Sequence, residues 1–301
     1  MHSLEIPDIK VKIEYPSNLH EMTSKQYVAF IELYLSLVEK CISYRDFKVR
    51  VFMMLSGIKW TFKYRKWLDD NQRMRVNENI FRLSETIESF VTEETIEGVE
   101  NRVIDLFCIK NLISKIGRYY GPADALTDIS FCEFRTWFLY YQKFCDGKQE
   151  EDLNMMIAVL YRRSKLFWKI RNMFSQNEIP RRDDFTNKSS VKKLKKRAKK
   201  IGKHSYTIRY GVFLFFRSCM AYLSTGKPIV NGNAIDLSIL YKSSEDSKQT
   251  NSIGWVGLLY ELAESKVFGN IEATDNTNLY DILLRLYQLS INYENLNKKI
   301  K

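Results

Sequence analysis

The sequence predicts a mainly α fold: a multi-helix globular bundle with a short N-terminal strand and a small β-hairpin near 228–237. Apolar residues recur at steps of three and four through most of the chain, while strict alternation is confined to its first residues. At 301 residues, 45% hydrophobic and 14% aromatic, there is enough apolar area to bury one large core or two smaller ones.

The opening "IPDIKVKIEYP" alternates through Ile9, Val11 and Ile13, which predicts a strand ended by Pro16. In "TSKQYVAFIELYLSLVEKC", Thr23 or Ser24 can cap a helix whose face is Tyr27, Phe30, Ile31, Tyr34, Leu35 and Val38. Residues 45–58 and 76–91 read as further helices of this kind. Gly121 and Pro122 stop any helix, and Asp128 or Ser130 can start the next, "FCEFRTWFLYYQKFC". Its aromatic stripe reads as core, because large rings are the main source of burial energy. "DLNMMIAVLYRR" continues the pattern, and the polar run 175–190, with "EIPRRDDFTNKSS", reads as a linker. Helix "SYTIRYGVFLFFRSCMAYLST" closes at Gly226 with Pro228 beyond it, and "KPIVNGNAIDL" reads as a hairpin turning on Asn231–Gly232. Residues 241–252 have little to bury and read as a loop. Helices over 253–266 and 276–297 finish the chain. The composition suggests a helical N-terminal region (1–184), a basic linker or helix (185–204) and a helical C-terminal region (205–301), the two helical regions standing apart or sharing one core.

The formal charge is +11, and "VKKLKKRAKKIGK" (191–203) supplies +8 of it through Lys192, Lys193, Lys195, Lys196, Arg197, Lys199, Lys200 and Lys203. One basic element therefore sits on a near-neutral body. Val191, Leu194, Ala198 and Ile201 would share a narrow stripe if this stretch were helical. Lys192–Lys196, Lys193–Arg197, Lys195–Lys199 and Lys196–Lys200 would then be like-charged i,i+4 pairs, opposing the helix by on the order of 1–2 kcal/mol in total. Order therefore needs a groove for the stripe, acids for the charges, or both. A polyanion is one candidate; so are the chain's own Glu93, Glu94, Glu97 and Glu100, or another protein's acidic face. No aromatic lies inside the stretch to stack on bases, and Phe185, Tyr206 and Tyr210 only flank it, so any nucleic-acid contact is expected to be non-specific. A solvated or protein-contacting face remains the competing reading.

Catalytic chemistry has little material. His2, His20 and His204 are the only histidines, and no GxSxG, HExxH or GxGxxG occurs. "STGKP" lacks the first glycine of a phosphate-binding loop, and the neighbours Asp69–Asp70 and Asp183–Asp184 are expected to point apart into water rather than converge on metals. No metal or cofactor is expected. Five scattered cysteines with no CxxC pair read as free thiols in a reducing cytoplasm. There is no signal-peptide pattern, and "YGVFLFF" between Arg209 and Arg217 is far shorter than a membrane span of about 20 residues.

"YPSNLHEMTSKQY" (15–27), "YYGPADALTDISFCEF" (119–134), "MIAVLYRR" (156–163) and "GWVGLLYELAESKVFGNIEATDNTNLYDILLRLYQL" (254–289) resemble proteins of tailed-bacteriophage and prophage tail modules, of the tail-assembly-chaperone kind. The resemblance covers patterns of helix ends and core residues and assigns no role to the basic stretch. It implies a non-enzymatic assembly factor in the bacterial host cytoplasm that binds a helical tail protein such as the tape measure through apolar helix faces. A structural tail component carried into the virion and a nucleic-acid-binding accessory protein are the alternatives. Trp255, Leu258, Leu259 and Leu262 form the stripe such a partner would meet, unless the protein's own core takes it.

Overall fold

The computed structural model describes residues 1–6, 11–58, 66, 68–96, 99–174, 182–183, 185, 191–227, 229–230, 233–238 and 255–300. The protein is mainly α, with small two-stranded antiparallel sheets, as the apolar spacing predicts. It divides into two compact units, Met1–Cys108 and Ile109–Lys301, rather than at the basic segment.

The first unit opens on a hairpin: β1 (His2–Ile6) pairs with β2 (Val11–Tyr15), so the alternating strand has a partner ahead of it. Helix α1 (Ser24–Val38) starts at Thr23, which forms a reciprocal capping box with Gln26. Tyr27, Phe30 and Ile31 of its predicted face are buried and Val38 is exposed. Helix α2 (Tyr44–Ser56) adds Phe47, Val51 and Phe52 to the same core. Its Lys48 is buried, with Nζ donating to Glu85 at 2.7 Å and Glu88 at 2.9 Å. Helix α3 (Asp70–Ser84) begins at Asp69, which accepts from the Gln72 amide at 2.7 Å, while Asp70 pairs with Arg73. That pair of acids is a helix start.

A 3-10 turn over 85–90 then leads into a hairpin that the sequence did not predict, β3 (Val91–Ile96) and β4 (Val99–Ile104). Charged residues dispersed through "VTEETIEGVENRVI" hide its period. Glu93, Glu94 and Glu100 lie on these strands, and Glu97 is outside the described residues.

The second unit starts with an irregular run that carries β5 (Lys115–Ile116) and β6 (Tyr119–Tyr120) and turns at Gly121–Pro122. Glycine is required at 121 by proximity: a Cβ there would lie 2.6 Å from Tyr161 Cζ and 2.7 Å from Asn111 Nδ2. Those two groups are fixed, since Tyr161 OH donates to the Ile113 carbonyl at 2.6 Å and Asn111 Nδ2 to that of Pro122 at 2.7 Å. Gly121→Ala should therefore cost about 1–3 kcal/mol through overpacking. Chemical denaturation checks this, and an unchanged midpoint would show that the turn can open freely.

Of the two possible starts, Ser130 caps helix α4 (Phe131–Gly147), in a capping box with Glu133. Helix α5 (Glu150–Leu160) packs back on it and is the centre of the unit, with Leu153 and every residue from Met155 to Leu160 buried. A helix apolar on all sides belongs in a core. Helices α6 (Trp168–Met173), α7 (Val191–Ile201) and α8 (Tyr206–Thr225) follow. Gly226, in extended conformation, caps α8 with its amide donating to the Tyr222 carbonyl, and a Cβ there would sit 2.3 Å from that oxygen. Strands β7 (Ile229–Val230) and β8 (Asn233–Ala234) form the predicted hairpin, although Asn231–Gly232 lies outside the described residues. So do most of the 175–190 linker and the whole 241–252 loop. Helices α9 (Trp255–Glu264), α10 (Ile271–Asn276) and α11 (Leu279–Ile300) complete the unit. The short α10, capped by Asn270, was not anticipated.

All five cysteines are free thiols. Burial, reinforced by Asp275, pushes the Cys132 thiol up to about 12, whereas Cys41 is exposed. A thiol with a raised pKa stays protonated and unreactive until the pH approaches that value. A thiol reagent at neutral pH should label Cys41 rapidly and Cys132 only on unfolding. Mass-spectrometric mapping checks this, and early labelling of Cys132 would contradict its burial.

Candidate polyanion-binding site

Helix α7 is ordered despite its like charges because its apolar stripe has a groove to fill. Leu194, Ala198 and Ile201 are buried, and the helix packs on α5; Val191, at the N-terminal end, stays exposed. Burying Leu and Ile stabilises by about 1.5–3 kcal/mol each, more than the roughly 1–2 kcal/mol of repulsion among the lysines. The cations are thereby displayed on a fixed rod.

The eight cationic residues divide into two sets. Lys192, Lys195, Lys199 and Lys203 are exposed and lie outside the cleft lining. Lys193, Lys196, Arg197 and Lys200, spaced along one helical face, line a cleft of about 320 Å³ with Tyr119, Arg163 and Asp183. Arg197 and Lys200 are half-buried. Burial first, then the neighbouring Arg162, pulls the Arg197 guanidinium down to about 10. Crowding by Arg118, and less by Lys196, Arg163 and Lys203, lowers the Lys200 ammonium. Asp183, whose amide donates to the Arg163 carbonyl at 2.8 Å, is the one acid among the described residues of the lining.

Behind Arg197 lies a buried ion cluster. Glu133 accepts from Arg162, and from Arg182 at 3.1 Å, while Arg182 also reaches Asp128 at 2.9 Å. The Tyr120 and Arg162 backbones exchange hydrogen bonds of 2.7 and 3.0 Å, tying β6 to the chain leaving α5. Both acids are committed to Arg162 and Arg182. Arg197 has no hydrogen bond to its buried Nε and no ion pair among the described residues. Among the described lining residues cations outnumber acids, and the most buried of them, Arg197, makes no ion pair.

No family model, curated protein or solved structure matches this chain. Function must therefore be read from the geometry.

The sequence named the four α7 residues of the cleft but not Tyr119 or Arg163, and it weighed Asp183 only as a possible metal ligand. Those residues come from segments far apart in the chain, and no spacing rule links them to α7. The acids at 93, 94 and 100, expected as possible counterions, belong to the first unit. The flanking aromatics already have partners: the exposed Tyr206 stacks on the half-buried Tyr210 at 5.7 Å, and Phe185 lies under Arg162. The arrangement suits phosphate groups rather than base edges.

The apolar stripe expected to meet a partner is used inside the fold. Leu259 and Leu262 are 5% and 2% exposed, and Leu258 is half-buried. Trp255 sits edge-on against Phe134 at 5.0 Å and against Phe131 and Phe138. The aromatic face of α4 packs against it, so the protein's own fold takes up most of this stripe, with Trp255 and Leu258 half-buried. Among the described residues, no group of three or more His, Cys, Asp or Glu could hold a metal ion, and no helix is long and apolar enough to cross a membrane.

Proposed function

We propose that this protein acts without catalysis, as an accessory protein that binds nucleic acid non-specifically by gripping phosphates through α7. The observation that carries this reading is the ordering of eight cationic residues over 13 positions on a packed helix and its adjoining turn. A solvated charge run needs no such anchoring, whereas a phosphate-tracking face needs its cations held at fixed spacing. The resemblance to phage tail-module proteins supplies the context, assembly in a bacterial host cytoplasm. Pull-down of the tagged full chain at low and high salt is the test. Nucleic acid retained at low salt and lost steeply with added salt, as counterion release requires, is the expected outcome. Absence of nucleic acid at low salt would overturn the reading.

A second reading is a chaperone-like factor that holds a helical tail protein such as the tape measure. It is favoured by a row of exposed apolar side chains on and beside α6: Leu166, Phe167, Ile170, Met173 and Phe174, each more than half exposed. Rows of this kind mark protein contacts. Retention of a helical tail protein at high salt would support it. Stoichiometric presence in finished particles would instead indicate a structural tail component.

A further inference from the structure

The outer lysines of α7 and the cleft beside them present different chemistry. Lys192, Lys195, Lys199 and Lys203 project into solvent, where any phosphodiester running past can meet them. The cleft is recessed, at about 320 Å³ the small end of the range for ligand pockets, which starts at about 300 Å³. Its deepest cation, Arg197, is half-buried and lacks a partner among the described residues. An internal phosphodiester is flanked by chain on both sides and carries one charge. It would have to thread that recess to reach the guanidinium. A terminal phosphate protrudes, carries about −1.5 to −2 at neutral pH, and offers three acceptor oxygens.

We propose that the cleft lined by Tyr119, Arg163, Lys193, Lys196, Arg197 and Lys200 is a seat for a terminal phosphomonoester, the end of a nucleic-acid strand or a mononucleotide. This rests on the phosphate-binding reading of α7 and adds end recognition to it. Arg197 supplies a planar fork at the floor, matched to two phosphate oxygens. Lys196 and Lys200, one turn apart on α7, flank the remaining oxygen. Asp183 opposes the anion and limits the site to groups charged enough to overcome it.

The test uses the full chain and two dye-labelled single strands of the same sequence, one with a 5′-phosphate and one with a 5′-hydroxyl, followed by anisotropy. The phosphorylated strand should bind about tenfold tighter, the size of one charge-assisted hydrogen bond. Arg197→Gln should erase that difference, while weakening the hydroxyl strand no more than the loss of any one α7 cation does. Arg197→Lys, which keeps the charge and loses the fork, should retain part of it, so a folding defect in one variant does not decide the matter. Asp183→Asn should widen the preference, whereas a merely structural aspartate would narrow it when replaced. Lowering the pH from 7.5 to 5.5 should shrink the preference as the monoester takes up its second proton near pH 6. Competition by adenosine monophosphate equal to that by the phosphorylated strand would identify free nucleotide as the natural occupant, and weaker competition a strand end; both support the seat. Equal binding of the two strands would overturn end recognition while leaving the α7 reading intact. Binding of inorganic phosphate or mononucleotide with neither strand bound would overturn the α7 reading and keep the seat. Failure of all probes would overturn both.

Discussion

Glu133→Ala should destabilise the second unit by about 3–5 kcal/mol and lower its melting temperature by on the order of 10 °C. One Glu133 oxygen accepts from both Arg162 and Arg182, and the other accepts from the Ser130 amide at 2.7 Å, closing the capping box of α4. Arg162 and Arg182 are 4% and 2% exposed. Without the carboxylate, Asp128 alone is left to compensate two guanidiniums that water cannot reach. Burial already pulls the Arg162 guanidinium down even with Glu133 in place, which shows how dry the site is.

Two controls separate the roles of Glu133. Ser130→Ala removes only the cap and should cost about 1 kcal/mol. Adding Arg162→Met to Glu133→Ala removes the orphaned charge and should recover part of the loss, a non-additivity expected of residues in one network. Differential scanning calorimetry on the full chain checks all three. A loss below about 1 kcal/mol for Glu133→Ala would mean that water enters the cluster and that it does not hold the unit together.

This cluster also shows how far the sequence could be read. Ser130 was visible as a helix start, because a hydroxyl residue before an apolar run has a local meaning. Glu133, three residues on, was not singled out, and nothing local reveals that one of its oxygens holds arginines from 162 and 182. The aromatic stripe of α4 was legible as core for the same local reason, but the residue that covers it, Trp255, enters from more than a hundred residues away. The stripe of Trp255, Leu258, Leu259 and Leu262 was thus legible as an apolar face, and the sequence left open whether a partner or the protein's own core covers it. Period and capping fix elements; which faces meet is decided by pairings that a single sequence does not display. The basic helix followed the same rule, since its stripe and charges were plain while the groove on α5 and the cleft wall from Tyr119 and Arg163 were not.

Replacing Lys192, Lys195, Lys199 and Lys203 together with Gln should weaken binding of a 5′-hydroxyl single strand and flatten its salt dependence while leaving the fold slightly more stable. Each phosphate that is no longer neutralised should reduce the slope of log affinity against log salt by about 0.7, so up to about 3 for all four. Stability should move the opposite way, because the like-charged pairs Lys192–Lys196 and Lys195–Lys199 are relieved, at about 0.2–0.5 kcal/mol each. The buried stripe of Leu194, Ala198 and Ile201 is untouched, so α7 stays in place. Opposite signs are the diagnostic: a chain that becomes more stable while binding more weakly carries those charges for the ligand, against the interest of its own fold. Anisotropy across a salt series and a thermal melt give both quantities on the same preparation. Unchanged affinity and slope would return α7 to a solvated face, and a fall in both stability and binding would mean that the lysines support the structure that binds rather than the ligand.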